Sequence, residues 1–191
     1  MGVQDAVTSK LAEVPAGTSL ALQVSIPVYL DVIKGIIDNY GVRSRVSIIY
    51  VTSSIPSRSI LSAFEVLEIN SDHVYFVDCV THTMVSAVEK GKNIYLVESP
   101  TMLENLMLKV EFLTRKLAGG KLLVLLDSLN SLCIHNSIGI VSEFLHIMVN
   151  NLRAKGVPSV VLMVQEHGTE EVKNMLNVCD EMMVLDEGTA K

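Results

Sequence analysis

The sequence predicts an α/β fold in which a mostly parallel sheet carries helices on both faces. Short apolar runs alternate along the chain with segments whose apolar residues recur at the spacing of a helix. Most of the apolar runs are continuous, which is typical of strands covered on both faces. The 191 residues are 49% apolar, so they suffice for one domain, residues 1–191, with a large core.

Seven strands are predicted from the apolar runs. They cover residues 19–24, 46–51, 74–79, 93–97, 121–126, 159–164 and 181–185. Because helical segments separate these strands, right-handed crossovers should join them into parallel pairs.

Helices are predicted between the strands. An apolar stripe indicates a helix over residues 29–40, which Gly41 is expected to end. A capping-box spacing from Thr101 to Glu104 marks the start of another helix. The remaining helices are predicted over residues 55–69, over residues 137–155 and after Thr169, and residues 1–14 are expected to form an N-terminal arm or helix.

Composition and charge argue against several classes of protein. The net charge of −6 and the pI of about 5.3 are unfavourable for nonspecific binding of nucleic acid, which needs clustered Lys and Arg. Neither a secretory signal nor an uninterrupted apolar stretch of membrane-spanning length is visible. The 3 widely spaced cysteines indicate reduced thiols. We therefore expect a cytoplasmic protein that binds neither nucleic acid nor a membrane.

Acidic residues follow four of the predicted strands: Asp78, Glu98, Asp127 and Glu166. In open α/β sheets ligands bind outside the carboxyl ends of the strands, so these carboxylates could form one cluster and hold Mg²⁺. Strand ends also meet solvent, where acidic residues are common, and the four side chains would then lie apart. The order of the strands in the sheet decides between the two interpretations.

No metal site is assigned to the sequence around Asp78, although Asp78, Cys79 and His82 are three metal-capable side chains within five residues. Adjacent residues of a strand point to opposite faces, so Asp78 and Cys79 would not converge on one ion. We interpret Cys79 as a buried thiol and His82 as a loop histidine.

Three motifs occur in the order and spacing of a known family. "VPAGTSLALQVS" leads into the first predicted strand, "LVLLDSLNSL" contains the strand that ends at Asp127 and Ser128, and "VCDEMMVLDEG" contains the last strand. Together they resemble the RecA superfamily, in particular the archaeal KaiC-like domains, over nearly the whole chain. The resemblance implies a three-layer RecA-like P-loop NTPase fold, in which Asp127 holds the water shell of Mg²⁺ and Gln165 senses phosphate.

The loop that follows the first strand departs from this family. At the position of the phosphate loop the chain has Ser25, Ile26, Pro27 and Val28, without the glycines and the lysine of a Walker A motif. Glycines let backbone N–H groups wrap a phosphate, whereas Pro27 has no N–H and Ile26 does not readily adopt a positive φ. We therefore predict a degenerate phosphate loop.

Ser53 and Ser54 stand where the family places its catalytic glutamates, just after the second strand. A hydroxyl group cannot serve as the carboxylate base that orients the attacking water. Because the phosphate loop and the base are both missing, we assign no catalytic residue and expect no NTP hydrolysis.

These features predict a noncatalytic RecA/KaiC-like domain, a pseudo-ATPase, that acts in regulation or scaffolding without a cofactor. A protein or peptide partner would bind at the former nucleotide cleft, which is expected to be apolar at Pro27 and acidic around Asp78, Asp127 and Glu166. The alternative is a sensor that binds ATP or ADP with Mg²⁺ weakly and without hydrolysis, at a subunit interface of a homo-oligomer. An enzyme of another kind, using the acidic edge and Mg²⁺, is the third hypothesis.

Overall fold

The parallel sheet predicted from the sequence is present. The computed structural model describes residues 2–81 and 93–190, and its strands are β1 (Ser19–Val24), β2 (Val46–Thr52), β3 (Val74–Asp78), β4 (Ile94–Leu96), β5 (Lys121–Asp127), β6 (Ser159–Val164) and β7 (Glu181–Leu185). Each predicted strand is confirmed to within one residue at either end. The strand order is β4-β3-β2-β5-β6-β1-β7, and every neighbouring pair is parallel.

Helices connect the strands. In chain order they are α1 (Val3–Glu13), α2 (Tyr29–Lys34), α3 (Ser57–Val66), α4 (Leu103–Lys116), α5 (Leu129–His135), α6 (Ile138–Ala154) and α7 (Glu170–Met175). The N-terminal segment is thus a helix, and the short helix expected after Thr169 is present with the Thr169 side chain accepting a hydrogen bond from the N–H of Val172. Helix α5, directly after β5, was not predicted. Among the described residues, no helix is both long and apolar enough to cross a membrane.

The core lies in two layers, one on each face of the sheet. Helices α1, α2 and α3 cover one face, and helices α4 to α7 cover the other. On the central strand β5, Leu123 and Leu125 belong to the first layer, and Val124 and Leu126 belong to the second. Because successive side chains of a strand point to opposite faces, a strand buried on both needs a continuous apolar run.

The helix after β1 does not end at Gly41 as predicted. A stretch with π-helical hydrogen bonds, Gly35–Val42, continues α2, and the chain leaves the helix at Arg45, which has a positive φ of 54°. Gly41 is buried against β2 and the loop before β3. A Cβ atom there would overlap the His73 ring and lie 2.9 Å from Cδ1 of Ile48. Gly41 therefore permits close packing and does not terminate the helix.

The capping box predicted at Thr101 is also wrong. The residue that precedes α4 is Met102, without a side-chain cap, while the Thr101 hydroxyl lies 2.8 Å from the Ser99 hydroxyl. The structure has a capping box at the start of α5 instead, between Ser128 and Ser131. The spacing rule fails at Thr101 because a nearby hydroxyl competes for its side chain.

Replacing Gly41 by Ala tests the close packing of the helix against His73. We expect Gly41→Ala to lower the free energy of unfolding by about 1–3 kcal/mol, because the added methyl group overpacks a buried contact. Urea denaturation would measure the change. Gly139→Ala is the matched control, since Gly139 is exposed on α6 and a Cβ there meets no atom within 4 Å. Equal effects at the two positions would contradict this explanation.

Candidate functional site

A cleft of about 600 Å³ opens at the carboxyl ends of the strands, between the β1–α2 loop and helix α5. We call it the carboxyl-edge cleft and define it by Ile26, Leu30, Ile55, Asp127 and Ile134, which all line it. Ligands of parallel α/β folds bind at this edge, and the predicted phosphate loop forms part of its wall.

The backbone of the β1–α2 loop has little left to offer a phosphate. Ile26–Val28 form a single 3-10 turn that runs directly into α2. The N–H of Ser25 donates to the carbonyl of Leu185 at 3.0 Å, and the N–H of Val28 donates to the carbonyl of Ser25 at 3.2 Å. Pro27 has no N–H. In a phosphate loop the corresponding groups point at the ligand.

Glu166 takes up the remaining N–H of this loop. The N–H of Ile26 lies 3.0 Å and 3.2 Å from the two carboxylate oxygens of Glu166, which follows β6. A carboxylate of the chain thus occupies the place beside the loop that a bound anion would take. Its negative charge would also repel a phosphate group there.

The Walker B-like residue Asp127 is held by two tyrosines. The hydroxyl groups of Tyr29, at 2.5 Å, and of Tyr50 both donate to Oδ2 of Asp127. Asp127 is buried, and burial raises the pKa of its carboxyl group although the two hydrogen bonds oppose the shift. Burial and the nearby Asp127 also raise the pKa of both tyrosines, so their hydroxyls stay donors. A cis peptide bond joins Asp127 to Ser128.

Asp78 has a structural role away from the cleft. It is fully buried at the end of β3, and its carboxylate accepts hydrogen bonds from the N–H groups of Ser57, Val80 and Thr81 at 2.8–2.9 Å. Burial alone would raise the pKa of Asp78, but hydrogen bonds from Ser57 and Thr81 outweigh it and hold the pKa below its ordinary value. Asp78 therefore anchors the start of α3 and the turn after β3.

The four strand-end acids do not come together. Glu98 is exposed beyond β4, where it accepts a hydrogen bond from Asn105 at 3.2 Å, while Asp78, Asp127 and Glu166 have the separate partners described above. Among the described residues, no group of three His, Cys, Asp or Glu side chains could hold a metal ion. His82 lies outside the described residues. The sequence predicts a cleft that is acidic around Asp78, and this prediction is wrong because Asp78 does not line the cleft.

Ser53 and Ser54, which the resemblance predicts to stand in place of catalytic glutamates, have different surroundings. Ser53 is buried and its hydroxyl contacts the hydroxyl of Ser131, whereas Ser54 is exposed and lines the carboxyl-edge cleft. Neither serine brings a carboxylate to the cleft.

Gln165, the residue predicted to sense phosphate, is engaged with the backbone. Its side-chain amide donates to the carbonyls of Gln23 at 3.0 Å and Leu185 at 3.4 Å, at the ends of β1 and β7. A comparable role belongs to Asn130, which sequence reasoning missed. Its side chain bonds both the N–H and the carbonyl of Val164, at 2.8 Å and 3.2 Å. Both amides therefore bind the backbone at strand ends, and Asn130 does so at the wall of the cleft.

Sequence reasoning also missed Tyr29 and Tyr50 as site residues, because Tyr29 lies in the apolar stripe of a predicted helix and Tyr50 in the apolar run of a predicted strand. The available signal was chemical: a buried tyrosine hydroxyl needs a hydrogen-bond partner, and a strand-end aspartate is a natural one. The pairing itself depends on strand order, which places β2 beside β5.

Comparisons with known proteins identify the fold. No protein-family model and no curated protein sequence matches the chain. Among solved structures, a KaiC-like protein from the hyperthermophilic archaeon Pyrococcus horikoshii OT3 matches with a TM-score of 0.61 and 13% identity over 89% of this chain and 71% of that one. The chain has a RecA-like fold. The flagellar accessory protein FlaH from Methanocaldococcus jannaschii matches with a TM-score of 0.55 and 11% identity over 90% of this chain and 72% of that one.

The resemblance to archaeal KaiC-like proteins that the motifs suggested is therefore confirmed at the level of the fold. At 11–13% identity the likeness establishes architecture and leaves the activity of this RecA-like chain to be argued from its own residues.

Replacing Asp127 by Asn tests whether burial makes the ionised form of this aspartate unfavourable in the fold. Because its pKa is raised in the fold, its contribution to stability is complete below the unfolded pKa of about 4 and is lost as the pH rises through the folded pKa. We expect Asp127→Asn to be at least as stable as the wild type at pH 7, since the amide oxygen still accepts from both tyrosines. The wild type should lose stability relative to the variant between pH 4 and pH 7.

Asp78→Asn is the matched comparison, measured by the same denaturation series. The pKa of Asp78 is lowered, so its contribution is present above about pH 4 and is lost as the pH falls through the folded pKa. At pH 7 we expect Asp78→Asn to cost about 2–4 kcal/mol, because an amide donor would face buried N–H groups. A loss of the same size for Asp127→Asn at pH 7 would refute the difference between the two sites.

Proposed function

We propose that this chain is a noncatalytic RecA-like domain that acts in regulation or scaffolding, and that a protein or peptide partner binds in its carboxyl-edge cleft. The observation that carries the proposal is the internal use of the groups that would hold a nucleotide. The loop N–H groups donate to Leu185, Ser25 and Glu166, and the carboxyl group of Asp127 accepts from two tyrosines.

Binding of a magnesium nucleotide would oppose several of these interactions at once. A phosphate at the loop would have to displace the carboxylate of Glu166 from the N–H of Ile26. Mg²⁺ would require the ionised form of Asp127, which burial disfavours. The same costs apply to the alternative function, a sensor that binds ATP or ADP without hydrolysing it.

The rim of the cleft supports an apolar partner. Ile26 and Leu30 are each 52% exposed, Ile55 is 43% exposed and Ile134 is 75% exposed. Exposed aliphatic side chains grouped around a concavity are typical of protein-binding surfaces. A partner segment that inserts aliphatic side chains would bury them, and a basic group on its flank would meet Glu166.

The proposed location is the cytoplasm. Cys79, Cys133 and Cys179 are all free thiols, and none of them pairs with another in the structure. Unpaired cysteines are ordinary in a reducing compartment.

Calorimetric titration with ATP and ADP, each with and without Mg²⁺, tests the loss of nucleotide binding. We expect no heat of binding at millimolar nucleotide, because Glu166 and the Tyr29–Asp127–Tyr50 group occupy the required positions. Mg²⁺-dependent binding that Asp127→Asn abolishes would overturn the proposal and establish the nucleotide sensor.

Substitutions at the rim test the protein-binding surface. Peptides selected from a random library on the immobilised wild-type protein should bind about tenfold or more weakly to Leu30→Asp and to Ile134→Asp, because a charge would enter an apolar contact. Leu108→Asp is the matched control, since Leu108 is 60% exposed on α4 and lies outside the cleft. Failure to select any peptide, or equal losses for all three variants, would contradict the assignment of the partner to this cleft.

A further inference from the structure

A second cavity, of about 680 Å³, lies at the opposite edge of the sheet, where β2, β5 and β6 begin. We call it the amino-edge cavity. We propose that it binds a small molecule that has an apolar body and an anionic group, such as a phosphate monoester. The proposal concerns a site separate from the carboxyl-edge cleft, and its ligand is independent of the partner that binds there.

Apolar side chains from several elements form the interior of the amino-edge cavity. Leu11 comes from α1, Tyr40 from the helix after β1, Leu122 from the start of β5 and Val157 from the segment just before β6. Leu11 and Val157 are buried, so the wall they provide is part of the core. An apolar ligand body of suitable size could be removed from water against this wall.

Three cations line the same cavity: Arg115, Lys121 and Lys155. None of the described residues that line it is acidic. Lys155 has one carboxylate within reach, since its Nζ lies 3.6 Å from Oε1 of Glu111 outside the cavity lining. A ligand anion would compete with Glu111 for Lys155, and it would meet Arg115 and Lys121 directly.

Two glycines with a positive φ line the amino-edge cavity. Gly119 follows α4 with a φ of +105°, and Gly156 follows α6 with a φ of +67°. A Cβ atom at either position would meet no other atom within 4 Å, so both glycines are needed for their backbone conformation and not to relieve crowding. The sharp turns they allow leave a concave surface between the ends of the two helices.

A cation near a helix C-terminus has a second explanation, because it complements the negative end of the helix dipole. This explanation covers Arg115, in the last turn of α4, and Lys155, directly after α6. It does not cover Lys121, which begins strand β5 and lines the cavity with them. The convergence of cations from two helices and one strand on an apolar cavity is the observation that favours a ligand.

Calorimetric titration with 1-naphthyl phosphate tests the proposal, with 1-naphthol and inorganic phosphate as partial ligands. We expect binding of 1-naphthyl phosphate that is about tenfold or more tighter than binding of either partial ligand, since only the whole molecule uses both the wall and the cations. The double variant Arg115→Gln/Lys121→Gln should weaken the binding by about tenfold or more.

Two control variants separate this site from its alternatives. Lys116→Gln removes the same charge from the next residue of α4, where Lys116 bonds the Tyr95 hydroxyl at 2.6 Å and does not line the cavity. Leu30→Asp alters the carboxyl-edge cleft. Both should leave the binding of 1-naphthyl phosphate unchanged. No binding to the wild type, or a loss with Lys116→Gln equal to that of the double variant, would overturn the proposal, and a loss with Leu30→Asp would place the ligand in the other cleft.

Discussion

The hydrogen bonds from Tyr29 and Tyr50 to one buried oxygen of Asp127 hold the carboxyl edge of the sheet together. Tyr29 begins helix α2, Tyr50 lies on β2 and Asp127 ends β5, so a single carboxyl group joins three elements. Buried hydrogen bonds of this kind are costly to leave unmade, because no water replaces a lost partner. These hydrogen bonds therefore help to fix the position of α2 against the sheet, and with it the shape of the carboxyl-edge cleft, without a bound ligand.

Strands were predictable from the sequence because burial on both faces imposes a pattern that a short window reveals. β1, β6 and β7 agree with their predicted bounds, since each is a compact run that a polar residue or a proline bounds at either end. Gly41 shows the limit of such local reasoning. A glycine near the end of a helical stripe usually marks a C-cap, but here the requirement comes from His73, which is 32 residues later in the chain and invisible to a local pattern.

The candidate site was predictable in its location and not in its contacts. The motif around Asp127 and the altered loop after β1 identified the right edge of the sheet, because the ends of parallel strands share one edge. Whether the strand-end acids would lie close together at this edge depends on the order of the strands and on the hydrogen-bond donors near each carboxylate. Asp78 accepts a hydrogen bond from the N–H of Ser57, and Glu166 accepts one from the N–H of Ile26. The positions of these backbone donors cannot be predicted from the pattern of side chains in the sequence.

The contact between Glu166 and Ile26 makes the loop after β1 a site that already contains its own anion. A tethered group does not have to be captured from solution, and its effective concentration near its partner is commonly millimolar or higher. A free anion could therefore bind only while Glu166 is away from the loop, and its apparent affinity would be its intrinsic affinity multiplied by the fraction of time for which Glu166 is away. The Glu166 carboxylate would then act as an intramolecular competitor of any anion at this loop, and one side chain would be enough to lower the anion affinity of an otherwise intact strand–loop–helix frame.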